Sequence, residues 1–185
     1  MKLFKTIKSR RSIFPRQYNK KLIKNEDLKL ILEAANFAPT HKKTEPWRFK
    51  VLQNDYKIKF ASFLSEKYKT TSTKFSEYKF QNIINNVNRS SAIILICMQR
   101  DPQNSVPEWE EIASVSMSVQ NMWLMCTELN IGSYWSSSKL INYVHEFIQL
   151  NEGEKCLGIY YLGHFDKKIK ERTNGSIKDK VSWFK

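Results

Sequence analysis

Two short stretches carry side chains able to do chemistry. Residues 9–12, Ser-Arg-Arg-Ser, set two guanidiniums between hydroxyls at the end of an amphipathic segment. Residues 38–49, APTHKKTEPWRF, gather one imidazole (His41), two ammonium groups (Lys42 and Lys43) and one carboxylate (Glu45) between two prolines. Adjacent Arg forks beside Ser12 suit a phosphate, because guanidiniums grip its oxygens in pairs and the hydroxyl adds a donor. A loop that only turned the chain would use Gly, Asn and Ser. This one is polar and positive between two prolines, a pattern that gains meaning only when read with its flanks.

The surrounding elements follow from periodicity. Leu3, Phe4 and Ile7 share one side of a short helix over 2–9. Asn25 reads as an N-cap, with Glu26 and Asp27 in the first turn where the helix dipole favours them. Leu28, Ile31, Leu32 and Ala35 then recur at helical spacing until Pro39 stops the helix. Trp47 to Leu52 alternates as a strand, and residues 55–86 read as Lys-rich amphipathic helices. Ala92 to Met98 is an unbroken apolar run, as expected of a strand covered on both faces. Pro107 opens a helix to about Leu129 that is apolar over much of its circumference, so it lies in a core or a subunit interface. Ser133 to Ser138 reads as a short Ser-rich connection around Tyr134 and Trp135, and a last helix holds Val144, Phe147 and Ile148. CLGIYYLGHF is a second two-sided strand, followed by a polar tail. Helices first and strands interspersed irregularly make an α+β domain, with no boundary or linker within 1–185.

The bulk numbers narrow the class. With 185 residues, 41% apolar and 26% charged, the chain is an ordinary globular one. No apolar stretch is long enough to span a bilayer, and the N-terminus lacks a signal peptide's apolar segment, so a cytoplasmic protein without a membrane partner is expected. Net charge is +13, which raises the question of nucleic acid. Yet Lys outnumbers Arg 24 to 7 and is scattered rather than striped, so no nucleic-acid partner is expected. Cys97, Cys126 and Cys156 are odd in number and sit in separate apolar runs, as buried reduced thiols do. No metal site is expected, because His41, His145 and His164 lack ligand spacing. Glu108, Glu110 and Glu111 are explained by a helix N-terminus without any catalytic role.

Taken in order, SRRSI, a helix ending AANFAPTHKKTEPWRF, then VPEWEE, VQNMWL, GSYWSSS and LGIYYLG resemble the FMN-dependent nitroreductase family, in particular its YdjA-like small-subunit branch. The likeness runs from Arg10 to the C-terminal Trp-Phe and is weakest over 54–90. It implies an α+β homodimer with a central, mostly antiparallel sheet flanked by helices and with FMN at the subunit interface. It also implies an NAD(P)H oxidoreductase that uses NADH or NADPH as donor and a nitroaromatic, quinone or similar small molecule as acceptor, with ping-pong exchange. Arg10, Arg11 and Ser12 match the family's hold on the FMN phosphate and ribityl chain. His41 and Glu45 match loop positions that approach the flavin from the other subunit, and Trp135, Ser136 and Ser137 match a further cofactor-touching segment. No side chain is implied as a catalytic nucleophile or base, since the flavin carries the chemistry.

Two residues depart from that pattern. The family usually has Gln or Asn where this chain has Glu45, and Arg where it has Ser136. Both changes lower the positive potential of the site. They keep open an alternative, a flavin-binding carrier or sensor without reductase turnover.

Overall fold

Seven consecutive apolar residues, Ala92 to Met98, leave a strand no side that tolerates water. In the computed structural model, which describes residues 1–166 and 172–185, all seven are fully buried at the centre of the molecule. They form β2 (Ala92–Gln99), which pairs antiparallel with β1 (Trp47–Leu52) on one side and β4 (Glu154–His164) on the other. β3 (Ile131–Ser136) pairs with the far edge of β4, giving a four-stranded, wholly antiparallel sheet in the order β1-β2-β4-β3.

Alternation along the strands assigns the two faces. Ile94, Ile96, Met98, Tyr160 and Leu162 pack under α2 (Asn25–Asn36) and α5 (Glu108–Glu128). Ile93, Leu95, Cys97, Ile159 and Tyr161 pack under α3 (Asn54–Thr71), α4 (Glu77–Arg89) and a 3-10 segment, Lys139–Glu146. The result is helix, sheet, helix in three layers. At about 1.5–3 kcal/mol for each fully buried large aliphatic side chain, the paired rows on both faces make the middle of the sheet the main store of stability.

One irregularity breaks the alternation. The β2–β4 register shifts between Ile96, opposite Gly158, and Cys97, opposite Cys156, leaving Leu157 as an extra residue. This bulge moves Leu157 to the α2/α5 face and Cys156 to the face that holds Cys97. All three cysteines are free, as expected, with Cys156 only partly buried; Cys97 and Cys156, far apart in sequence, are cross-strand neighbours.

Other expectations shift by smaller amounts. Asn25 is the first helical residue and not the N-cap, a place taken by Lys24 without a side-chain bond. Residues 131–136 are a strand, which the Ser-rich composition concealed. The last helix is a 3-10 run, with Ser138 accepting a bond from the Leu140 amide. The polar tail lies partly outside the described residues. α1 (Lys2–Ser9) forms as expected, but its apolar side stands open, with Leu3 63% and Phe4 65% exposed. Among the described residues no helix is long and apolar enough to cross a membrane.

The three glutamates at the start of α5 each have a structural partner. Glu108 meets Lys155, Glu110 meets His41, and Glu111 meets Arg100. Glu111 is fully buried and also accepts the Asp101 amide at 2.8 Å, while Arg100 donates to the Val106 carbonyl at 2.7 Å. These bonds fasten the 100–106 loop to the helix. Glu111→Ala leaves the Arg100 guanidinium, 22% exposed, with one carbonyl. Truncating one member of a buried pair costs about 3–5 kcal/mol, and the partial exposure of Arg100 sets the expectation at the lower end. Urea unfolding checks it: an unchanged midpoint shows that Glu111 does not anchor this loop.

Candidate functional site

The arginine segment is held by the sheet beneath it. Ile13 donates its amide to the Ser133 carbonyl at 3.0 Å, tying the segment to β3. Five residues on, the Tyr18 hydroxyl donates to the carbonyls of Ile13 (2.8 Å) and Tyr161 (3.0 Å). The Tyr18 ring lies on Gly132 and Gly163, which face each other across β3 and β4; a Cβ on Gly163 would come within 2.5 Å of the ring. Two bare positions in register thus seat one aromatic ring, and that ring fixes where residues 10–13 run.

Arg10 ends α1, and its guanidinium lies 4.7 Å from the centre of the Trp123 ring on α5. Burial, then the charges of Arg172 and Arg11, push the Arg10 pKa below the ordinary value. Arg172 therefore belongs to the same cluster, and the sequence reading passed over it as part of a polar tail. The available signal was an Arg standing among the tail's lysines. Arg11 donates through Nη1 to the carbonyls of Lys8 (2.7 Å) and Arg10 (2.8 Å), and its own carbonyl accepts from Trp123 Nε1 at 3.2 Å. Its Nε is buried and has no partner among the described residues.

The same wall continues onto β3. Trp123 stands edge-on to Tyr160 at 5.7 Å, and Tyr160 is the register partner of Trp135. The Trp135 indole rests on Gly158, in the bulge of β4, where a Cβ would lie 1.8 Å from Trp135 Nε1. That Nε1 is also buried without a partner. Ser136 closes β3 opposite Ile159, and Ser12 and Ser137 are exposed. Arg10, Arg11 and Trp135 thus lie along one wall, with Arg172 near Arg10; Ser12, Ser136 and Ser137 follow them directly in sequence.

The other predicted residues form a separate group. His41, in a 3-10 turn (His41–Lys43), meets Glu110 of α5 at 2.5 Å, and Lys42 donates to the Ser105 carbonyl at 2.9 Å. Lys42, Lys43 and Glu45 have φ of 49°, 56° and 42°. Side chains in this left-handed region cost about 1–2 kcal/mol each, so the loop persists because its neighbours hold it. The Glu45 amide donates to Thr40 Oγ1 at 3.2 Å, and its carbonyl accepts from Arg48 at 2.8 Å. The Glu45 side chain is exposed and makes no ion pair among the described residues.

Glu110, beside His41, and Trp123, beside Arg10, are thirteen positions apart on α5, about 20 Å at 1.5 Å per residue. One chain therefore places the two groups at different points along one helix. Among the described residues no cluster of His, Cys, Asp or Glu could hold a metal ion.

Residues 7–164 match the model of the nitroreductase family. The Bacillus subtilis protein named "Putative NAD(P)H nitroreductase YfhC" is 30% identical over 172 residues, 90% of this chain and 87% of the relative. The crystal structure of a nitroreductase-like family protein from Bacillus cereus superposes with a TM-score of 0.83 at 26% identity, covering 98% of this chain and 95% of the other. A nitroreductase with bound FMN from Bacteroides fragilis shares the fold, with a TM-score of 0.73 at 22% identity over the whole of both chains. The chain belongs to the nitroreductase family.

Proposed function

We propose that this chain is an FMN-dependent NAD(P)H oxidoreductase of the nitroreductase type, working as a homodimer. The observation that carries the reading is the pair of buried N–H donors without partners, Arg11 Nε and Trp135 Nε1, in a wall that also gathers Arg10 and Arg172. A buried donor left unsatisfied costs about 1–3 kcal/mol. Like charges held together add to that cost. A ligand with an anionic end and several acceptor atoms offsets both, and FMN is such a ligand.

Arg10, Arg11 and Arg172 would hold the phosphate through charge-assisted bonds. Ser12, Ser136 and Ser137 offer hydroxyls to the sugar-alcohol chain, and Trp135 offers its indole N–H. Bound FMN supplies the redox chemistry, taking a hydride from NADH or NADPH and passing electrons to a nitroaromatic, quinone or similar small acceptor. His41 and Glu45 would come from the second copy. Its docking surface is an apolar groove of about 650 Å³ between α1, α2 and α5, lined by Leu3, Leu30, Phe37, Leu124 and Met125. Phe37 is 76% exposed in the single chain, as an interface residue would be before its partner arrives.

The absorption spectrum of the purified, FMN-loaded protein, followed by NAD(P)H oxidation with a quinone or a nitroaromatic, tests the reading. Flavin bands with turnover support it, and flavin bands without turnover favour the carrier or sensor. No FMN retention overturns both. Light scattering at micromolar concentration is expected to give twice the 21.9 kDa of one chain. A monomer that still binds FMN tightly counts against the dimer.

Arg11→Ala removes a charge-assisted contact and is expected to weaken FMN binding by about 1.5–3 kcal/mol, roughly ten- to a hundredfold. Titration by flavin fluorescence measures it, and unchanged affinity removes Arg11 from the phosphate. Glu45→Gln exchanges an unpaired carboxylate for an amide of the same size. A carboxylate near the ring opposes the negative charge that reduction adds, so the substitution is expected to raise the flavin midpoint potential. Potentiometric titration of both proteins decides; an unchanged or lowered midpoint places the Glu45 carboxylate away from the ring.

A further inference from the structure

Cys97 and Cys156 come from segments far apart in sequence, yet they face each other across β2 and β4. Directly opposed residues of antiparallel strands have Cα atoms about 4.5–5.5 Å apart, inside the span of about 4.4–6.8 Å that a disulfide bridges. Spacing alone is not enough, since side chains on opposite faces cannot meet. Continued alternation from Ile159 and Tyr161 would send Cys156 to the α2/α5 face. The bulge at Leu157 reverses it, and both thiols lie on the α3/α4 face.

We propose that Cys97 and Cys156 form an oxidisable thiol pair, which a hydroperoxide converts into a disulfide within one chain.

The two thiols are unequal in the way such a step requires. Cys97 is fully buried, whereas Cys156 is partly exposed, so a small oxidant reaches Cys156 first. Pairing with the Cys97 thiol holds the Cys156 pKa below its ordinary value, and the same pairing with burial pushes that of Cys97 up; the Cys156 S–H points at the Gly158 carbonyl, 3.5 Å away. The neighbouring carboxylate of Glu154 opposes thiolate formation. It is itself held by Lys50 on β1, whose Nζ lies 2.8 and 3.1 Å from its two oxygens. Cys126 is a built-in comparison: it is fully buried, with its pKa pushed up to about 12 chiefly by burial.

The chemistry balances with one hydroperoxide per chain. The Cys156 thiolate attacks an oxygen of the O–O bond, the bond breaks, and the other oxygen leaves and takes up a proton as water or alcohol. Cys156 is then a sulfenic acid. The Cys97 sulfur attacks the Cys156 sulfur and displaces the hydroxyl, which departs as water with the Cys97 proton. Two thiols are oxidised and one peroxide is reduced by two electrons. The link closes two residues from Gly158, on which the Trp135 indole rests.

The test uses the full chain, reduced and then exposed to a slight excess of hydrogen peroxide, denatured, alkylated and analysed by mass spectrometry. The expected result is that two of the three thiols escape alkylation, the protein is lighter by two hydrogens, and a peptide pair joined through Cys97 and Cys156 appears. Dithiothreitol restores all three thiols, and Cys126 is alkylated throughout. Cys156→Ser, at the partly exposed position, abolishes the link. Three alkylated thiols after peroxide, a Cys156 that stops at the sulfinic acid, or a link to Cys126 or to a second chain would each overturn the proposal.

Discussion

The antiparallel pairing of β2 with β4 is the constraint on which the rest of this molecule depends. From Ala92 to Met98, β2 carries no side chain that tolerates water, so its pairing and the cover on both faces must form together. That need draws α2 and α5 over one face and α3 and α4 over the other. It also moves the polar chemistry outward, to strand ends, loops and the exposed edge at β3. The bulge in this ladder then has two effects at once. It gives Trp135 a glycine to rest on, and it turns Cys156 toward Cys97. A one-residue slip normally carries a strand's apolar set to the wrong face. Here the extra residue is Leu157, whose side chain joins the α2/α5 core, so the slip costs little burial.

The second organising fact is electrostatic. Glu108, Glu111 and Glu154 are each paired with a lysine or arginine and Glu110 meets His41, and among the described residues no ion pair links a carboxylate to Arg10, Arg11 or Arg172. Arg10 is partly buried between Trp123 and two further guanidiniums, a setting that disfavours its charge. On the proposed reading, a bound anion offsets that cost. The net charge of +13 is carried mostly by dispersed lysines, whereas the Arg10 guanidinium sits against the Trp123 ring.

Much of this was legible from residue order. The unbroken run of β2, the helical spacing of Leu28, Ile31 and Ala35, and the proline and glutamates that open α5 each have one strong local cause. What stayed hidden depends on contacts between distant segments. β3 escaped because an edge strand of Ser, Gly and aromatic residues lacks a buried alternation, and only its pairing with β4 reveals it. Arg172 escaped because its nearness to Arg10 comes from where the tail returns, and an Arg among lysines is too weak a local signal to reveal that. The Cys97–Cys156 pair escaped because its register includes a bulge, and spacing along a chain does not predict one. Of the predicted binding residues, Arg10, Arg11 and Trp135 lie along the wall built on Trp123 and Tyr160, and Ser12, Ser136 and Ser137 are their neighbours in sequence. His41 and Glu45 fall elsewhere.

That separation carries the last step of the argument. A loop with three left-handed non-glycine residues is an expensive way to join a helix to a strand, and sheet pairing does not require it. Its contacts with Thr40, Ser105, Glu110 and Arg48 hold it out at the N-terminal end of α5. The arginine cluster sits about 20 Å further along the same helix. Two antiparallel copies packed along α5 would bring the loop of one beside the arginines of the other, and the exposed apolar side of α1 and the groove beside it provide the surface for that packing. A strained loop held by its own chain but away from that chain's arginines would then be explained by what it approaches in the next. On the proposed reading each cofactor site is assembled from two chains, so folding, assembly and binding draw on the same helix.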